Sequence, residues 1–204
     1  MSDKQTSAEE NILRAAEKIF MEKGFAGTRM QEVADEAGIN KAMLHYYFRS
    51  KEKLFQVILS EAINEISPML MRSLSSDKSV LDKLEDLVSN YTALLLKRPH
   101  LPLFVMHELS QNQGKFVADI AINSRTQPVM LAFFQQVTEE CAAGKLRNIQ
   151  PVHLLLHVMS LIVFPFIARP MVSRVAELPG ALFDEVLAQR TEEVLRFLRA
   201  GLVP

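Results

Sequence analysis

The sequence predicts an all-α fold: an N-terminal three-helix head carrying a helix-turn-helix, and a larger C-terminal helical body, about nine helices in all. Three observations lead there. Apolar residues recur at helical spacing along most of the chain, with no sustained period-2 alternation. No Asn-Gly or Asp-Gly hairpin turn occurs. Gly24, Gly38 and Gly144 fall where periodic stretches stop, as expected of helix ends.

The elements follow in order. The first helix spans residues 7–23, with Ile12, Ala16, Ile19 and Phe20 inward and Gly24 ending it. A short second helix starts near Thr28, buries Met30, Val33, Ala34 and Ala37, and stops at Gly38. Asn40 caps a third that carries Leu44, Tyr47 and Phe48. Ser50 caps a long fourth with Leu54, Ile58, Ala62 and Ile66 inward. A Ser-rich turn over residues 73–79 precedes a fifth helix marked by Val80, Leu84, Leu87, Tyr91 and Leu95, which Arg98-Pro99 terminates. Residues 102–110 suggest a sixth. Residues 115–143 read as a long seventh, bent at Pro128. Pro151 suits the first turn of an eighth, and residues 180–200 make a ninth. The head ends at Ser50, so the expected domains are residues 1–50 and 51–204.

With 204 residues, 49% of them hydrophobic, the chain can bury a substantial core in one or two domains. Net charge is −1, so any surface for nucleic acid must be local. The lone Cys141 permits no intramolecular disulfide and no Cys-rich metal site, and fits a reducing, cytoplasmic setting. The polar, acidic start MSDKQTSAEE argues against a signal peptide. The most apolar run, residues 154–168, is short for a bilayer span and reads as a buried helix.

Charge and aromatic rings gather on one stretch, AGINKAMLHYYFRSKEKLF. Residues 41–53 carry net +3, whereas residues 1–36 carry net −3. Two short helices joined by a Gly-containing turn form a helix-turn-helix, whose second helix can enter a major groove. That helix begins Asn40-Lys41-Ala42-Met43. Lys41 can donate to guanine or phosphate, and small Ala42 permits close approach. His45, Tyr46 and Tyr47 offer donors to flanking phosphates, and the fourth helix starting at Lys51 suits an anion. The competing reading is an ordinary helix junction with a solvated basic face.

The run Gly24-Phe25-Ala26-Gly27-Thr28, then Val33-Ala34, Ala37-Gly38-Ile39, Leu44, Tyr47-Phe48 and Lys51-Glu52-Lys53-Leu54, resembles the TetR family of bacterial transcriptional regulators. It covers about the first quarter of the chain. The resemblance implies a homodimer, a DNA-binding head, and a helical body that binds a small molecule and sets head spacing. It places Thr28 at a phosphate contact, Lys41, Ala42 and Met43 on the groove-facing turn, and Tyr46, Tyr47 and Lys51 at backbone-contacting positions. Departures stand out. Arg29 occupies the usual Ser or Thr cap position, which leaves Thr28 to cap with Gln31. Asn40 replaces Ser, Ala42 replaces Gly, Met43 replaces a common Thr, and His45 replaces Tyr.

In the body, the eighth helix is apolar nearly all round and must be covered on more than one face. The ninth carries a stripe opposite a polar face. Both are expected to pair with their copies as a two-fold, four-helix interface through Leu154, Val158, Leu161, Ile162, Phe183, Val186, Leu187, Val194 and Leu198. The alternative is a completed monomeric core. The expected pocket for a small hydrophobic or aromatic effector is lined by Tyr91, Phe104, His107, Met130, Phe133, Phe134, His157, Ser160 and Phe164.

Three weaker constellations point elsewhere. His153 and His157 have a zinc-compatible i, i+4 spacing but no identifiable third ligand. His107-Glu108 lacks the second histidine of a zinc protease. Cys141 follows two glutamates, which would blunt its reactivity. The resulting expectation is a ligand-responsive repressor of a near-palindromic double-stranded DNA operator, not an enzyme, with no cofactor, metal or membrane. The alternatives are a helical enzyme using the body histidines and a module whose head meets protein.

Overall fold

The computed structural model describes residues 2–111 and 126–204, with side chains from residue 8 onward except at 107–109 and 111. Among these residues it is all helical. In chain order the helices are α1 (Ser2–Gly27), α2 (Met30–Glu36), α3 (Lys41–Tyr47), α4 (Lys51–Leu74), α5 (Val80–Lys97), α6 (Leu101–Gln111), α7 (Thr126–Ala142), α8 (Pro151–Ile167), α9 (Arg169–Val175) and α10 (Gly180–Leu202). The chain divides into two compact units, Met1–Ile63 and Asn64–Pro204. The divide falls inside α4, thirteen residues beyond Ser50. The reason lies in the first half of α4, whose aromatic Phe55 belongs to the head core.

In the N-terminal unit, Ile12, Ala16, Ile19 and Phe20 of α1 are buried, as are Val33 and Ala34 of α2 and Leu44 of α3. Phe20, Phe25 and Phe55 form one aromatic knot, with centroids 5.8, 5.4 and 5.1 Å apart. Edge-to-face and offset contacts of this kind add to plain area burial. The regular geometry of α1 breaks at Gly24 (φ 68°, ψ 172°), a backbone conformation that L side chains rarely adopt. Gly38 (φ 68°) does the same after α2.

In the C-terminal unit, α5 is the central element and packs against α7, α8 and α10. Val80, Leu84, Leu87, Tyr91 and Leu95, at helical spacing, are all buried. Each fully buried aliphatic side chain contributes about 1.5–3 kcal/mol relative to leaving it in water. Polar ties surround the start of this helix. Ser79 accepts from Asp82 N–H at 3.2 Å. The Glu140 carboxylate of α7 accepts from Val80 N–H at 3.1 Å. Buried Lys83 donates to Gln136 Oε1 at 2.6 Å. Arg199 of α10 reaches Glu85 at 2.6 Å.

Two expectations change here. The short α9 was not expected; α8 and α9 meet at a 70° bend. Of the proposed long seventh helix, residues 115–125 lie outside the described residues, and Pro128 sits within the first turn of α7, so no mid-helix bend at Pro128 is seen in what is described. Among the described residues no single helix is long and apolar enough to cross a membrane.

Candidate functional site

The second and third helices are joined by a turn built from backbone alone. Ala37 N–H donates to Val33 O at 2.9 Å, and Ile39 N–H to Ala34 O at 3.0 Å. Asn40 then caps α3, its Oδ1 accepting from Met43 N–H at 2.8 Å. Ser50 similarly accepts from Lys53 N–H at 3.2 Å at the start of α4. The expected cap of α2 is corrected. Arg29, not Thr28, stands at its N-cap, and Glu32 accepts from Arg29 N–H at 3.2 Å. Gln31 instead donates to Asp35. Lys23 also holds Glu32, at 2.7 Å. First that ammonium and then the Arg29 N–H keep the Glu32 carboxyl below its ordinary range.

Thr28 is buried at 2% exposure and donates its hydroxyl to Gly24 O at 2.7 Å. That hydroxyl serves the α1–α2 junction. Lys51 has the same kind of employment. Its Nζ donates to Phe25 O at 2.8 Å and Thr28 O at 3.1 Å, and lies 4.5 Å from the Phe25 ring centroid. Of the cations expected on a basic face, this one clips α4 to the end of α1. Sequence reading missed the clip because a lysine among polar neighbours gives no sign of an inward carbonyl pair.

The rest of the cluster faces outward. Lys41, Ala42, His45, Arg49 and Lys53 are exposed, Met43 is 39% exposed, and Tyr46 is 75% exposed. Tyr47 is half-buried with its ring edge-on to Tyr46 at 5.5 Å. His45 Nδ1 lies 3.4 Å from Arg49 O, which suits the tautomer protonated there. Leu44 and Phe48 anchor this surface from below. The face is cationic, donor-bearing and raised on a capped, seven-residue helix.

Residues 12–58 match the family described as "Bacterial regulatory proteins, tetR family". The chain carries a TetR-type N-terminal domain. Its similarity to the probable HTH-type transcriptional regulator YttP of Bacillus subtilis is 26% identity over 174 residues, 84% of this chain and 83% of that one. It is 35% identical over 85 residues, 40% of each chain, to the HTH-type transcriptional repressor NicS of Pseudomonas putida. In fold it resembles the hemolysin II transcriptional regulator HlyIIR, with a TM-score of 0.59 at 22% identity, covering 92% of this chain and 97% of that one. Its head therefore matches a regulator-type helix-turn-helix, and along most of its length the chain is similar to a probable transcriptional regulator.

The C-terminal unit redistributes the expected residues. Leu154, Val158 and Ile162 of α8, and Phe183, Leu187, Val194 and Leu198 of α10, are 5% exposed or less. They are buried within the subunit itself, and of the expected interface stripe half-buried Leu161 and exposed Val186 lie nearer the surface. The outward face of α8 instead carries Val152, Leu156, His157, Ser160 and Phe164. Three of the expected pocket residues, His157, Ser160 and Phe164, are thus on the outside. His157 and Ser160 line an open groove of about 400 Å³ with Leu161, Phe197, Gly201 and Leu202. Tyr91, Phe104 and Phe133 are buried, while Met130 and Phe134 are half-buried. Burial pushes the Tyr91 phenol up to about 12. The side chain of His107 lies outside the described residues. His153 and His157 stack at 6.2 Å, and among the described residues no third metal-ligating side chain gathers with them. Cys141 is half-buried, its Sγ 3.3 Å from Arg147 O.

Proposed function

We propose that this chain is a TetR-family transcriptional regulator, a homodimeric repressor whose α3 helices enter successive major grooves of a near-palindromic operator. The observation that carries the reading is the outward turn Lys41-Ala42-Met43, with exposed Tyr46 one helical turn on and Asn40 fixing the backbone beneath. Lys41 meets a guanine edge or phosphate, while His45, Tyr46, Tyr47 and Arg29 donate to phosphates beside the groove. Thr28 and Lys51 act behind this surface as positioning residues, because their polar groups already bond to the head's own carbonyls. The domain boundary that suits this reading lies within α4, so that the first half of α4 travels with the head.

The dimer surface is the outward face of α8 and its neighbour on α10: Leu156, His157, Ser160, Phe164, Val186 and Phe197. Phe164 and Phe197 are 56% and 65% exposed, an unusual state for two phenylalanines on adjoining helices of one subunit. Its pairing buries them against their copies. A small hydrophobic effector is held among Tyr91, Phe104, Met130, Phe133 and Phe134, buried or half-buried side chains that offer apolar surface and one phenol. Effector must bind one head spacing better than the other, since equal affinity shifts nothing. The chain has no catalytic role in this reading.

The test is fluorescence anisotropy on duplex DNA from immediately upstream of the chain's own gene. Wild type binds with affinity that falls steeply with salt. Lys41→Ala and Tyr46→Phe weaken binding; unchanged affinity in both would remove α3 from the interface.

A further inference from the structure

The outward turn of α3 contains two consecutive side chains with no hydrogen-bond donor and no acceptor stronger than a thioether. Ala42 has none to offer, and Met43 ends in a thioether. Asn40, two residues before Ala42, has its side-chain oxygen committed to Met43 N–H at 2.8 Å. Met43 is nevertheless 39% exposed, one turn before Tyr47, on a face whose other members are Lys41, His45 and Tyr46. An exposed flexible apolar side chain among cations and donors gains nothing from water. In the major groove it has one specific apolar partner, the C5 methyl of thymine.

We propose that Met43 is a specificity-determining residue that reads the methyl group of a thymine in each operator half-site, with Ala42 small enough to let the helix come within contact distance. The assignment rests on the duplex-binding reading above. Deleting the methyl alone, by replacing thymine with uracil, leaves every hydrogen-bonding edge of the base pair in place. The contact therefore has a chemical signature that a phosphate or hydrogen-bond contact lacks.

The experiment uses the full chain and duplexes selected by it from a randomised library. In the selected duplex, each thymine of one half-site is changed singly to uracil, and affinity is measured for wild type, Met43→Ala and Met43→Leu. At one or two positions wild type loses about fourfold, the ratio expected for removing one methyl-sized apolar group from contact. Met43→Ala binds the thymine duplex more weakly and no longer distinguishes thymine from uracil there, while Met43→Leu retains part of the difference. An enriched duplex in which no thymine-to-uracil change matters overturns the assignment, as does a penalty that persists in full in Met43→Ala. A library from which no duplex is enriched overturns the duplex reading and the assignment with it.

Discussion

Lys51 shows how a single side chain can look like a ligand contact and be something else. Its ammonium satisfies two backbone carbonyls, of Phe25 and Thr28, that end one helix and begin the approach to the next. Replacing it with methionine keeps the apolar stem and removes the donors. The expected cost is about 1–3 kcal/mol of head stability, the usual cost of leaving part-buried polar groups unsatisfied, read as a lower midpoint in urea. The slope of log affinity against log salt should stay unchanged in that variant, whereas Lys41→Ala should reduce it by about one if Lys41 neutralises a phosphate. A reduced slope for Lys51→Met would return Lys51 to the DNA surface. Tyr91 makes a second residue-scale prediction. Its phenol ionises at an ordinary 10 when unfolded and at about 12 when folded, because burial disfavours the phenolate. The folded state therefore holds the extra proton between those values, and its stability falls as pH rises from 10 towards 12. Tyr91→Phe should lose this part of the alkaline decline, measured as midpoints from pH 9 to 11.5 against wild type.

At the scale of elements, α3 is only seven residues long, too short to persist without its caps and its anchors. Asn40→Ala should cost about 1 kcal/mol, while Asn40→Ser should cost a fraction of that, because serine can accept the same Met43 N–H. Thermal or denaturant midpoints of the two variants distinguish capping from any general effect of changing the surface. This cap, the Gly24 break and the Val80-to-Leu95 stripe of α5 were all readable in the amino-acid order. Each depends on local chemistry: a short polar side chain, a missing Cβ, a 3.6-residue period. The start of α2 was misread for the complementary reason. Thr28 looks like a cap because its hydroxyl could accept from the helix, but the chain folds it inward to donate to Gly24. Arg29 then has the cap position and Glu32 the reciprocal bond. Nothing local decides between those two uses of one hydroxyl. The short α9 escaped because seven residues, with Pro170 second among them, carry too little periodicity to register.

At the scale of the molecule, the proposed two-fold association makes the sharpest distinction between buried and exposed residues of α8 and α10. Phe197→Glu, at a side chain 65% exposed, should leave the subunit folded and shift sedimentation from dimer to monomer at micromolar concentration. Leu187→Ala, 2% exposed, should instead cost about 2–5 kcal/mol of folding stability through the cavity it leaves. A wild-type chain that sediments as a monomer would remove the proposed interface and with it the two-headed engagement of DNA.

From the order of residues alone follow the helical class, the position of the helix-turn-helix, its basic stretch and the family resemblance, because each is written in spacing over a few turns. The use of α8 was not decided there. Its sequence is apolar on nearly every side, so periodicity could not say that Leu154, Val158 and Ile162 would turn to the core and Leu156, His157, Ser160 and Phe164 to the surface. Nor could it say that Lys51 would turn inward. Only the packing of distant helices settles which way such side chains point, since an apolar face or an ammonium is stable in more than one setting and takes the one the rest of the chain leaves for it.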